Sequence, residues 1–220
     1  MRQRTDLTVQ INTPTVRLEG ILVVPEHAQG VVLFAHGSGS GRFSPRNQFV
    51  ANMLQEGELG TLLIDLLDVS ESQDRSKVFD IGLLADRLLS ATEWLRMDAR
   101  TSDLPIGYFG ASTGAAAALR AAAQHPRAVK AIVSRGGRPD LAIGFLTEVT
   151  APTLLIVGGD DHPVIPLNQG AYESLGGPKQ LVVVPGATHL FEEPGALAEV
   201  AELARDWFRR YLTFEARPAI

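Results

Sequence analysis

The chain has 220 residues, of which 45% are hydrophobic and 20% charged, with a formal net charge of -5 and no cysteine. That make-up fits one globular domain around a single core and excludes disulfides, a thiolate nucleophile and a cysteine-held metal. Lys and Arg are spread without a dense basic stretch, which argues against a nucleic-acid partner. No apolar run is long enough to cross a bilayer, and Met1 to Asp6 lack the apolar core of a secretory signal, so a cytoplasmic protein is expected.

In chain order, Leu7 to Ile11 alternates in hydropathy and Val16 to Val24 follows after Asn12-Thr13-Pro14, predicting an antiparallel opening hairpin. Val31 to Ala35 is a continuous apolar run of the kind buried on both faces, and it feeds the glycine-rich His36-Gly37-Ser38-Gly39-Ser40-Gly41. Ser44-Pro45 supplies an N-cap and a first-turn proline for a helix whose stripe is Phe49, Val50, Met53 and Leu54. Thr61 to Leu67 reads as a further strand, with the buried-type oddity of Asp65 inside it, and a polar loop follows from Asp68 to Lys77. Phe79 to Met97 has helical spacing in Leu84, Leu88, Ala91 and Leu95. After the strand and helix around Ser112, Val129 to Ser134, Thr153 to Val157 and Leu181 to Val184 are short strands, and Leu197 to Tyr211 is an amphipathic helix. Strands alternating with helices predict an α/β fold with a mostly parallel twisted sheet, helices on both faces and an antiparallel N-terminal hairpin. The segment from Arg135 to Pro152 is too short for a sizeable cap.

Gly110-Ala111-Ser112-Thr113-Gly114 lies directly between an apolar strand and the helix-forming run Ala115 to Ala123. A turn sharp enough to present Ser112 at the end of a strand leaves no room for a Cβ at either glycine. The same turn sets the Thr113 N–H at a helix N-terminus, where unsatisfied donors can meet a developing oxyanion. A serine hydroxyl needs a base in hydrogen-bond reach, and that base needs an acid to orient it. Asp160-Asp161 follows one late strand and His189 follows the last, so each partner type stands just past a strand end. Read alone, His189 could equally be an ordinary surface histidine. His27, His125 and His162 are expected to be exposed and inert. The histidines show no metal-ligand spacing, so neither metal nor cofactor is expected.

The order of Ser112, an acid after the next-to-last strand and His189 after the last, with His36-Gly37 after an early strand, resembles the α/β-hydrolase superfamily, and the resemblance covers nearly the whole chain. The lack of a cap is similar to its dienelactone-hydrolase-like branch. His36 to Gly41 and Ser134-Arg135-Gly136-Gly137-Arg138-Pro139-Asp140 look closest to a bacterial subgroup of that branch, some of whose members are joined to phosphoribosyltransferase domains. Dienelactone hydrolases proper carry cysteine where this chain has Ser112, so the resemblance implies ester hydrolysis in general. It also selects Asp161 over Asp160, because the superfamily's acid commonly stands three residues after a glycine and three before an apolar residue, as Asp161 stands between Gly158 and Val164. His36 would brace the oxyanion loop.

Gly37 to Gly41 lacks the lysine of a phosphate-binding loop, which favours an oxyanion hole formed by the N–H groups of Ser38 and Thr113 over a phosphate cradle or a plain turn. Arg135 and Arg138 either grip a substrate carboxylate or pair with Asp140 or Glu148 to fix a loop. Phe43, Leu66, Leu67, Phe145 and Phe191 are candidates to line an acyl pocket but are read as ordinary core in the main. The expectation is a serine hydrolase acting on a small-molecule carboxylic ester or thioester with Ser112, Asp161 and His189. Peptide hydrolysis, acyl transfer on the same triad, and a non-catalytic binding module are the rivals.

Overall fold

A computed structural model describes residues 6–212, so the charged segment from Met1 to Thr5, read above as lacking a signal sequence, lies outside the described residues. Alternating hydropathy produces β1 (Asp6–Asn12) and β2 (Arg17–Val23), which pair antiparallel with Val9 opposite Gly20 and Ile11 opposite Leu18. The continuous apolar runs become β3 (Val31–Ala35), β4 (Gly60–Ile64), β5 (Ile106–Ala111), β6 (Ala131–Arg135) and β7 (Thr153–Gly158), buried at every residue. β8 (Lys179–Val184) is the partly exposed far edge. The spatial order is β1-β2-β4-β3-β5-β6-β7-β8. β2 joins β4 antiparallel, and every pair from β4 to β8 is parallel, so the C-terminal ends of five consecutive neighbours from β3 to β8 face one way.

Helices cover both faces. α1 (Pro45–Glu56) and α6 (Ala196–Tyr211) bury Val50, Leu54, Val200 and Phe208 against one side, beside Phe34 and Phe109. α3 (Ile81–Met97) and α4 (Thr113–Gln124) bury Leu84, Leu88, Ala118 and Leu119 on the other. α1 begins where expected, with the Ser44 side chain accepting from the Asn47 N–H at 3.4 Å and Pro45 in the first turn. Its buried face is Asn47, Val50, Ala51 and Leu54, however, and Phe49 is 40% exposed.

Three further departures from the sequence reading have physical causes. β4 stops at Ile64; the Asp65 N–H still donates to Glu19 O of β2 at 3.0 Å, while its side chain accepts the Arg42 backbone N–H at 2.6 Å and pairs with the Arg42 guanidinium. The Asp68–Lys77 loop contains a 3-10 turn (Glu71–Gln73) and the short α2 (Arg75–Val78), pinned to α3 by a buried pair between Glu71 and Arg87 at 3.1 Å. A 3-10 segment (Pro139–Glu148) and α5 (Ile165–Ser174) join the later strands, and no large cap stands over the sheet. No helix among the described residues is long and apolar enough to cross a membrane.

Candidate active site

Ser112 is the single residue between β5 and α4, and its backbone sits at φ 51°, ψ -122°. A side chain at positive φ is strained by roughly 1–3 kcal/mol, so the surroundings must hold it. Its N–H donates to Arg135 O at 3.3 Å, and its carbonyl accepts from Ala115 N at 3.1 Å and Arg138 N at 3.1 Å. The flanking glycines are required by space: a methyl group on Gly110 would meet the Ala115 backbone, and one on Gly114 would collide with the carbonyls of Ala35 and His36. The serine is thereby lifted to the C-terminal edge of the sheet.

On the same edge, the turn after β7 presents Asp161, 8% exposed, and the turn after β8 presents His189. Asp161 Oδ2 accepts from His189 Nδ1 at 2.6 Å, which makes Nδ1 the protonated nitrogen and leaves Nε2 as the acceptor. Asp160 is exposed, and its backbone N–H ties the acid turn to the histidine turn through Ala187 O at 2.9 Å. The histidine turn is anchored by Phe191, which is fully buried although its φ is 56°. Gly136 lies between the two halves of the site: a Cβ there would sit 3.4 Å from His189 Nδ1, and the preceding carbonyl is the one that holds the Ser112 N–H. The Ser112 hydroxyl has no hydrogen bond to His189 or to any other group among the described residues.

The glycine-rich loop after β3 packs against the serine, since a methyl group on Gly37 would lie 2.9 Å from Ser112 Cβ. His36 braces this loop. Its Nδ1 donates to Gly37 O at 2.9 Å and its Nε2 accepts the Leu66 N–H at 2.9 Å, an arrangement that requires a neutral ring. Burial pushes its pKa down, while the Gly37 bond and nearby Asp65 pull the other way. The Ser38 N–H, expected to point into an oxyanion hole, instead donates to Thr113 Oγ1 at 3.1 Å. Beside this loop is a cavity of about 500 Å³ lined by His36 to Ser40, Thr113, Arg42, Asp65 and Leu67 among others.

Of the two arginines, Arg138 lies against Asp140 in a bidentate pair at 2.9 and 2.8 Å, so it fixes the loop after β6. Arg135 is 7% exposed, forms no ion pair among the described residues, and has its guanidinium 5.8 Å from the Phe191 ring. Its Nε is buried without a partner, and burial together with the Arg46 charge lowers its pKa to about 10, so it remains a cation at neutral pH. His27, His125 and His162 are exposed, as expected. Phe43 is 63% exposed, whereas Leu66, Leu67 and Phe191 are buried. Sequence reasoning missed the Thr113 hydroxyl and the strained anchor at Phe191. The first was visible only as a backbone donor, and positive φ on a phenylalanine has no sequence signal.

Residues 49–216 match the family model for the dienelactone hydrolase family. A dienelactone hydrolase from Anabaena variabilis, known from a crystal structure, is 56% identical over 96% of this chain and 99% of its own, with a TM-score of 0.93. A Mycobacterium tuberculosis protein described as a putative phosphoribosyl transferase is 56% identical over 94% of this chain but only 47% of its own length, so the chain spans about half of that relative. Est1E from Butyrivibrio proteoclasticus, 16% identical with a TM-score of 0.80 over 92% of this chain and 98% of its own, shares the fold. With its eight-stranded α/β-hydrolase fold, the chain belongs to the dienelactone hydrolase family.

Proposed function

We propose that the protein is a serine hydrolase that cleaves a small carboxylic ester or thioester through an acyl-enzyme. The observation that carries this reading is the strained Ser112 at the same sheet edge as a histidine whose Nδ1 is already held by a buried carboxylate. His189 Nε2 takes the proton as Ser112 Oγ attacks the carbonyl carbon, and Asp161 holds the tautomer and stabilises the imidazolium. The carbonyl electron pair moves onto oxygen, which the Thr113 N–H meets at the first turn of α4, beside the Thr113 hydroxyl that the Ser38 N–H holds. His189 then protonates the departing alcohol or thiol. Water, deprotonated by the same nitrogen, releases the acid. Arg135, an unpaired cation beside the site, is read as the group that receives a substrate carboxylate. The transferase name belongs to a relative twice as long and supplies no chemistry at these residues.

A panel of p-nitrophenyl esters, including half-esters of dicarboxylic acids, run beside amino-acid anilides tests both parts. Ester turnover is expected, with kcat at least about 10³-fold lower in Ser112→Ala. A preference for carboxylate-bearing esters is expected to fall about 10-fold or more in Arg135→Met, the scale of one charged hydrogen bond. Faster anilide than ester cleavage would favour a peptidase. Hydrolysis that survives Ser112→Ala, or none at all in the wild type, would remove the reading.

A further inference from the structure

We infer that the side-chain hydroxyl of Thr113 is a donor of the oxyanion hole, polarised from behind by the Ser38 N–H. The inference rests on the serine-hydrolase reading and adds to it a catalytic group that is a side chain rather than backbone. Thr113 follows the nucleophile directly, is 3% exposed and lines the cavity beside the glycine-rich loop. Its Oγ1 accepts the Ser38 N–H at 3.1 Å, which occupies one lone pair and leaves the proton to donate elsewhere. Its own proton has no acceptor among the described residues. A helical threonine normally gives that proton to the carbonyl one turn earlier, as Thr92 does to Leu88 O at 2.8 Å. Thr113 is the first residue of α4, preceded by a strand and a sharp turn, so no such carbonyl exists for it.

The loop that supplies Ser38 is held in place on both sides. Gly37 packs on Ser112 Cβ, and His36 is bonded to Gly37 O and Leu66 N. The Ser38 amide is therefore kept on the Thr113 hydroxyl, next to the Gly37 that packs on the serine, and the hydroxyl proton is free to turn to the oxyanion. When the bond from Ser112 Oγ to the carbonyl carbon forms, the carbonyl electron pair moves to oxygen and the serine proton goes to His189 Nε2. The new oxyanion accepts from the Thr113 N–H and the Thr113 O–H, and no proton leaves threonine. A hydroxyl that is itself accepting a hydrogen bond is a stronger donor, so the Ser38 amide contributes through it.

The test compares Thr113→Val, which keeps the shape and removes the hydroxyl, with Thr113→Ser, which keeps the hydroxyl. On a p-nitrophenyl ester, Thr113→Val is expected to lower kcat about 10²-fold, the usual effect of losing one oxyanion donor, with KM changed less than about 3-fold. Thr113→Ser is expected to stay within about 5-fold of wild type. A trifluoromethyl ketone, which mimics the tetrahedral adduct, should lose affinity in parallel with kcat/KM. Should Thr113→Val not fold, Thr113→Ala is read in the same way. A valine variant with wild-type kcat, or a faster one because the hydroxyl only blocked the Ser38 amide, overturns the inference. Wild-type turnover that depends on Ser112 separates that failure from failure of the hydrolase reading itself.

Discussion

At φ 51° Ser112 holds a conformation that an unconstrained serine would leave, and the three backbone hydrogen bonds around it come from β6, the loop after it and α4. Strain of this kind concentrates where chemistry needs a fixed side chain. The G-x-S-x-G spacing announced it, because the glycines are where two backbones meet. Asp161 and His189 were legible as residue types at strand ends, but the choice between Asp160 and Asp161 is set by the turn geometry after β7, which buries one carboxylate and exposes its neighbour. The commitment of the Ser38 amide to a side chain was not legible, since nothing in a glycine-rich string fixes where one N–H points. His36 gives a pH prediction. Its ring is neutral in the fold with a pKa below the ordinary value of about 6.5, so below that pH the unfolded chain binds the extra proton first. Stability is therefore expected to fall as pH drops from about 6.5 toward the folded pKa, and to fall less in His36→Gln. Equal pH slopes for the two proteins in urea unfolding would show that His36 is not the titrating group.

The elements were largely legible because their signals are strong: both-face-buried strands are unbroken apolar runs, and α3 and α6 carry long periodic faces. α5 was not read from the sequence, and its Pro166 sits in the first turn, where a missing N–H costs nothing. β8 begins two residues earlier than its apolar run because Lys179 and Gln180 can point to water on an edge strand. The exposed Phe49 on α1 shows that an apolar stripe can be displaced when Asn47 takes a buried place. The contact between α4 and the end of β3 is close enough to admit only hydrogen at Gly114, against backbone carbonyls. Gly114→Ala is expected to destabilise the protein by more than about 2 kcal/mol, because the obstacle is backbone that cannot rotate away. A thermal unfolding midpoint unchanged from wild type would contradict that packing.

Across the whole molecule, the parallel half of the sheet brings four loops, after β3, β5, β7 and β8, to one edge, and each supplies one part of the site. The serine, the acid and the histidine are separated by 49 and 28 residues in the chain, 112 to 161 and 161 to 189, and this topology sets their loops along one edge. That convergence also explains why specificity was the least legible property. The cavity beside the glycine-rich loop is completed by residues of β2 and of the segment from Asp65 to Val78, whose side chains carry no motif. The chain spans about half the length of the mycobacterial relative that it matches. The central claim is that Ser112 is an activated nucleophile, and reaction with a fluorophosphonate probe followed by peptide mapping measures it directly. A single adduct on Ser112, absent in Ser112→Ala and strongly slowed in His189→Ala, is the predicted result; no adduct on the folded protein, or one that persists without the Ser112 hydroxyl, would contradict it.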